Sequence, residues 1–180
     1  LVTGVQTCAL PILNFIATGN LQNLASLSIS GSGALDDSIV VNSALSTLGG
    51  DIELNNAQLI DLNASLTAAG AMTIADAQTV QLSAGSTYTA QGGVLDINNN
   101  VTEIELVGLG VVTLVTSTDS DIELASIIDN GDLLKTDLLV SSGGSITTQS
   151  INLNDGGSDG DVAILIDTGS DDGIRNLQVN

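Results

Sequence analysis

Four apolar-x-apolar triplets fill residues 52 to 82 and decide the fold: Ile52-Glu53-Leu54, Ile60-Asp61-Leu62, Met72-Thr73-Ile74 and Val80-Gln81-Leu82. Alternation of apolar and polar residues over such short runs, interrupted by Gly, Asn, Ser and Asp, is typical of short β-strands that turn corners. The same triplet returns further along the chain, at residues 95–97, 104–106, 112–114 and 122–124. The chain is therefore expected to be a stack of short rungs.

The spacing of the triplets predicts a solenoid. Successive triplets begin 8, 12, 8, 15, 9, 8 and 10 residues apart, so two strands recur about every 20 residues. A repeat of this size cannot bury its own apolar face, so neighbouring copies have to stack and share one core. We therefore expect an all-β fold, a right-handed parallel β-helix (β-solenoid) with coils of about 20 residues. About eight coils, each advancing about 4.8 Å, would form a rod roughly 40 Å long.

The residue types inside the triplets predict which side chains face the core. The Ile, Leu and Val side chains are expected to point inward, and the central residues outward: Glu53, Asp61, Thr73, Gln81, Asp96, Glu105, Thr113 and Glu123. With one Phe, one Tyr and no Trp, the core should be narrow and aliphatic. An immunoglobulin-like sandwich also has strands every 8 to 12 residues, but it usually has larger core aromatics and lacks this repetition.

The first residues differ from the rest. Residues 2–12, VTGVQTCALPI, resemble the translation of a common sequencing adapter. We therefore expect residues 1–12 not to be part of the fold, and residues 13–180 to be a β-helix fragment of a longer protein. The chain's one Cys and one Pro, Cys8 and Pro11, both lie in this first segment. Neither a disulfide framework nor a Cys-based metal site is therefore expected in the remainder.

The charge of the chain excludes several partners. Twenty-one acidic residues stand against Lys135 and Arg175, which gives a net charge of −19. Binding to a phosphate backbone usually needs several Lys or Arg contacts, so nucleic acid is not an expected partner. Anionic membrane surfaces are disfavoured for the same reason, and no apolar run is long enough to predict membrane insertion. The charge favours solubility and attraction for cations.

Two segments resemble a known family. GGDIELNNAQL at residues 49–59 and LTAAG at residues 66–70 resemble the repeats of filamentous-haemagglutinin-like bacterial adhesins, and the resemblance extends over most of residues 45 to 153. It implies a long β-helical shaft that carries adhesive regions, a secreted or cell-surface location, and no catalytic residues. It also implies neighbouring coils of the parent protein as structural partners, and a host or community surface glycan or protein as a binding partner.

A carbohydrate-active β-helical enzyme is one alternative. Glu103 and Glu105 would project from the same side of a strand about 7 Å apart, a separation that suits paired carboxylates. Pectate-lyase-like chemistry needs a basic residue to abstract a proton, and the chain has only two widely separated cations. Polygalacturonase-like sites carry a His motif, and the chain has no His. We therefore expect no catalytic residues and no enzymatic activity.

A calcium-stabilised binding module is the other alternative. Two Asp/Gly-rich segments, residues 154–161 and 167–173, offer several carboxylates on turns, as hard cations require. The first segment is similar to a calcium-binding nonapeptide but has Asp159 where that motif requires Gly. No cofactor is expected unless calcium binds here. The candidate ligands are Asp155, Asp159, Asp161, Asp167, Asp171 and Asp172.

Overall fold

The computed structural model describes residues 14–19, 21–34, 36–129, 134–153, 160–166 and 177–179. These ranges consist of strands and the loops between them, and no helix that could span a membrane occurs in them. The adapter-like residues 1–12 lie outside them. The all-β class expected from the sequence is confirmed for this part of the chain.

Most strands are short, as the triplets indicate, but two of them run through two triplets each, Ile52–Leu62 and Met72–Ser83. Their bounds are β1 Asn14–Ala17, β2 Leu21–Leu24, β3 Leu27–Ser30, β4 Ser38–Val41, β5 Leu45–Thr47, β6 Ile52–Leu62, β7 Leu66–Ala68, β8 Met72–Ser83, β9 Thr87–Ala90, β10 Leu95–Ile97, β11 Val101–Val107, β12 Gly110–Thr118, β13 Ile122–Leu124, β14 Ser126–Asp129, β15 Thr136–Gly143, β16 Ile146–Thr148, β17 Ile151–Asn152, β18 Val162–Ile166 and β19 Leu177–Val179.

The strands stack in three parallel columns, which confirms the parallel β-solenoid. Column A stacks Leu27, Ile52, Met72, Leu95, Ile122, Ile146 and Leu177 in register. Column B stacks Phe15, Ile39, Ile60, Val80, Ile104, Ile127 and Ile151. Column C stacks Leu21, Leu45, Leu66, Tyr88, Leu114, Val140 and Ile164. Each turn passes from A through B to C.

The turns are fewer and longer than the triplet spacing predicts. Seven stacked positions in each column make about six turns, which span about 29 Å at 4.8 Å per turn. The step in column A is 20 residues from Ile52 to Met72 but 31 from Ile146 to Leu177. The loops at the corners differ in length and account for these differences in the number of residues per turn, because each strand only has to return to the same register.

Column C is the part that the two-strand repeat does not predict. Its early strands β5, β7 and β9 alternate Leu or Tyr with Ser, Thr and Ala, so they lack the apolar-x-apolar pattern. The triplet at residues 112–114 lies in column C, beside β9 and β15, and not in columns A or B. The eight residues from the start of the preceding triplet, 104–106, to the start of this one therefore include the corner between columns B and C.

The core is one continuous aliphatic stack. The Ile, Leu and Val residues of the triplets are at most 1% exposed to solvent. The central residues of the triplets are half-buried or exposed, as expected. Ala57 stacks on Ala77 at a corner where both are buried. Tyr88 is fully buried in column C, between Leu66 and Leu114, and its hydroxyl donates to the Leu62 carbonyl oxygen at 2.7 Å.

The corner between columns A and B uses left-handed residues. Asn56, Asp76 and Asn100 occupy it in successive turns, with φ of 60°, 52° and 56°. Asn and Asp tolerate this region better than other residues that carry a Cβ. The Asn100 amide Nδ2 donates to Asp76 Oδ1 at 2.8 Å. In these three turns the corner therefore repeats the same left-handed conformation, and a side-chain hydrogen bond joins two of its copies.

Side-chain carboxylates tie successive turns together. Asp51 Oδ1 accepts the backbone N–H of Ala71 at 2.8 Å, and Asp121 Oδ1 accepts the N–H of Ser145 at 2.7 Å. In each pair the second residue lies directly before the next strand of column A. The preceding residue in that turn is glycine, Gly70 in the first case, because a Cβ there would collide with the Asp51 carboxylate.

Candidate functional site

Polar side chains form ladders on the outward face of column B. Gln58 Nε2 donates to Gln78 Oε1 at 2.9 Å, and Gln81 Nε2 donates to Glu105 Oε2 at 2.8 Å. These residues belong to β6, β8 and β11, which are adjacent strands of the same column. The ladders therefore run from turn to turn, along the axis of the solenoid.

Two shallow depressions flank the Gln58–Gln78 pair. The first has a volume of about 480 Å³, and its lining includes Asp36, Ser38, Gln81 and Glu105. The second has a volume of about 200 Å³, and its lining includes Gly33, Ala34, Asn56 and Asp76. Both are bordered by Gln58 and Gln78, and together they are called the column B groove.

The loop after β3, described at residues 31–34, 36 and 37, forms one wall of the column B groove. The buried Asp37 carboxylate accepts the backbone N–H and the hydroxyl of Ser32, at 2.5 and 2.6 Å, and the N–H of Ala34 at 3.2 Å. The Asp37 carbonyl oxygen in turn accepts the N–H groups of Gln58 and Leu59, at 3.0 and 3.2 Å. Asp37 thus holds the loop to the floor of the groove.

The column B groove is acidic. Asp36, Asp76 and Glu105 line it, and neither Lys nor Arg is among its lining residues. Lys135 lies elsewhere, at the start of column C, where its ammonium is 2.8 Å from Asp161 and 3.3 Å from Asp137. The groove therefore attracts cationic groups and repels anions.

The two carboxylates considered for catalysis lie on this face. Glu103 and Glu105 are both on β11 and both half-buried. Glu103 Oε1 accepts the Thr79 hydroxyl at 3.3 Å, and Glu105 accepts the Gln81 amide. Their geometry makes them hydrogen-bond acceptors within ladders, and the absence of enzymatic activity stays a prediction.

A second group of carboxylates lies on the outward face of column A. Asp96 and Glu123 are directly opposite each other in the pairing of β10 with β13. Partial burial, with the nearby charges of Asp96 and Asp121, raises the pKa of the Glu123 carboxyl above its usual value. Like charges are therefore stacked here, and no cation among the described neighbours compensates them. The burial of Ile122 and Leu124 in the core has to outweigh this electrostatic repulsion.

Asp161 is the one calcium candidate that the structure describes. Its backbone N–H donates to Asp137 Oδ1 at 2.8 Å, and its carboxylate pairs with Lys135. The described ranges contain no group of three or more His, Cys, Asp or Glu able to hold a metal ion. Calcium binding stays a prediction, since the other candidates lie outside the described residues: Asp155, Asp159, Asp167, Asp171 and Asp172.

The outward face of column C differs from the other two. In the turns that contain β5, β7, β9 and β12 its half-buried outward residues include no charged side chain: Ser46, Thr67, Thr87, Thr89, Thr113 and Val115. The next turn brings Asp137 on β15, which pairs with Lys135. The acidic ladders are therefore confined to columns A and B over these turns. Column C provides a face of the same backbone geometry without the acidic ladders.

Sequence reasoning missed the column B groove because its residues are polar and unremarkable one by one. The signal that finds them is register: once Ile60 is placed over Val80, Gln58 falls over Gln78.

The parallel β-solenoid is the fold that the resemblance to filamentous-haemagglutinin-like repeats implies. No model of a protein family matches the chain, and no curated protein or solved structure matches it either.

Proposed function

We propose that the chain is a segment of the β-helical shaft of a secreted or surface-attached bacterial exoprotein of the adhesin type. Such a shaft holds a distal binding region away from the cell. The observation that carries the proposal is the unbroken stacking of three columns around one apolar core, from the first described turn to the last.

The stack has the properties that a spacer needs. Every internal turn pairs its backbone with the turn on each side, and the core is continuous between them. A displaced turn would therefore expose apolar surface on two neighbours and leave their backbone groups unpaired. Bonds such as that from Ala71 N–H to Asp51 add side-chain contacts between turns. The stack consequently resists bending and lateral displacement.

The outward faces suit an exposed surface. Acidic residues on columns A and B contribute to the net charge of −19, which keeps neighbouring shafts apart in solution. Repeated polar rows can also make many weak contacts at once, so that avidity replaces a single strong site. This is how a shaft wall contributes to adhesion alongside a distal binding region.

The proposal is tested by using the chain as a spacer on a bacterial surface. The full chain is placed between an outer-membrane anchor and a fluorescent tip, and energy transfer from the tip to a membrane dye reports the tip distance. A 180-residue Gly/Ser linker serves as the control, since it would span about 70–80 Å with a broad distribution.

We expect the tip to be displaced by about 29 Å relative to a direct fusion, with a narrow distribution of distances. A binding domain attached at the tip should keep its access to beads that carry its ligand. A distribution as broad as that of the Gly/Ser linker would contradict the proposed function.

A further inference from the structure

We propose that the column B groove binds a linear polysaccharide of amino sugars that carry free amino groups. This goes beyond the function of a spacer, because it gives the wall of the shaft a ligand of its own. A shaft without this ligand would still be a shaft, so the two proposals fail separately.

The lining residues point to an extended ligand. Ser38, Gln58, Gln78 and Glu105 come from four successive turns, and three steps of about 4.8 Å span about 14 Å along the axis. The polar groups follow an oblique line across the turns: Gln58 lies over Gln78, and Glu105 lies one turn further on, opposite Gln81. A chain-like ligand with repeating polar groups can meet them in succession, whereas a compact ligand would meet only one or two.

The backbone around the groove favours a saccharide over a peptide. The strand β8 is paired with β6 on one side and β11 on the other, so its N–H and C=O groups are already bound. No free edge is offered to an incoming peptide strand in this part of the fold. Recognition therefore falls to side-chain amides, hydroxyls and carboxylates, which suit a ligand rich in hydroxyl and amino groups.

The charges of the groove favour amino groups over neutral or acidic substituents. Asp36, Asp76 and Glu105 supply carboxylates beside the Gln58–Gln78 pair, and the lining contains no cation. Hydrogen bonds between an ammonium group and a carboxylate are roughly twice as strong as neutral ones. Uronic acids or sulfated sugars would meet like charge throughout the groove.

The test is a calorimetric titration of the full chain with a glucosamine hexamer at mildly acidic pH, where its amino groups are protonated. We expect binding that weakens with added salt. The N-acetylglucosamine hexamer, which lacks the charge, should bind at least about tenfold more weakly.

Variants locate the site. Replacing both groove amides, Gln58→Ala with Gln78→Ala, should weaken binding about tenfold, as expected for the loss of two hydrogen-bonding groups. The matched control on column C, Thr67→Ala with Thr89→Ala, should leave the affinity unchanged. If the double groove variant does not fold, Glu105→Gln, which keeps the side-chain shape, must weaken binding instead.

Three results would overturn the proposal. The first is the absence of both a heat of binding with the hexamer and a shift in the backbone amide resonances of the groove. The groove and control variants could lose affinity equally, which would place binding elsewhere. Hexalysine could bind as tightly as the glucosamine hexamer and lose affinity in the same groove variants, which would assign the groove to a cationic peptide.

Discussion

Ionisation of the buried Tyr88 hydroxyl is expected to lower the stability of the fold at alkaline pH. Burial raises the pKa of its phenol far above the ordinary value near 10, because the charged form would be desolvated in the core. In the unfolded chain the phenol ionises near pH 10. A folded pKa above the unfolded one contributes stability that is fully present below pH 10 and is lost as the pH rises above it.

The size of the effect follows from this linkage. Between pH 10 and the raised pKa of the folded state, the free energy of unfolding should fall by about 1.4 kcal/mol for each pH unit, through Tyr88 alone. Tyr88→Phe should remove this slope. At neutral pH the same variant should lose about 0.5–1.5 kcal/mol, because the hydrogen bond to the Leu62 carbonyl is gone.

The assay is direct because the chain has one Tyr and no Trp. Ultraviolet absorbance follows tyrosinate while circular dichroism follows the fold during the same alkaline titration. We expect tyrosinate to form only when the strands unfold, and denaturant melts at several pH values should give the slope for wild type and Tyr88→Phe. Tyrosinate forming near pH 10 in a folded chain, or the same slope in both proteins, would refute the reasoning.

Three further outcomes are expected. Gly70→Ala should destabilise the fold by about 1–3 kcal/mol in denaturant melts, because the new methyl group meets the Asp51 carboxylate; Gly49→Ala, in open space, is the control, and adding Asp51→Ala should recover part of the loss. Glu123→Gln should raise the thermal midpoint at neutral pH but not in acid, since the raised pKa of Glu123 means that stability is lost as the pH rises through that pKa; equal shifts at both pH values would contradict this. If the acidic segments bind calcium, adding the ion should raise the thermal midpoint and a chelator should reverse the change, whereas an unchanged midpoint would exclude stabilisation by calcium.

The apolar triplets predict the solenoid because period-two alternation reports burial directly. They do not report which column a strand occupies, since that depends on the lengths of the corners. Residues 112–114 show the consequence: the triplet is apolar at both ends, as in columns A and B, yet it stacks on Tyr88 in column C. The strands β7 and β9 escaped the pattern because small residues, Ala68 and Ala90, fill their second inward positions.

The column B groove could not be predicted from composition, because its residues come together only through the pairing register of the strands. Gln58 and Gln78 are 20 residues apart and become neighbours only through the register of β6 with β8. The wall of the groove depends on a buried carboxylate, Asp37, that looks like an ordinary turn residue in the sequence. Aligning the chain on its inward Ile and Val positions would have found the amide pair but not the wall.

The central claim is the stacking of parallel turns in the stated register, and a distance between two outward residues of column A tests it most directly. With Cys8 replaced by Ser, spin labels at residues 28 and 147 lie five turns apart through the pairings of column A. Pulsed electron resonance should give a narrow distribution centred near 24 Å, and moving the first label to residue 53 should shorten it by about 5 Å. A broad distribution, or a distance that does not fall with that move, would contradict the solenoid.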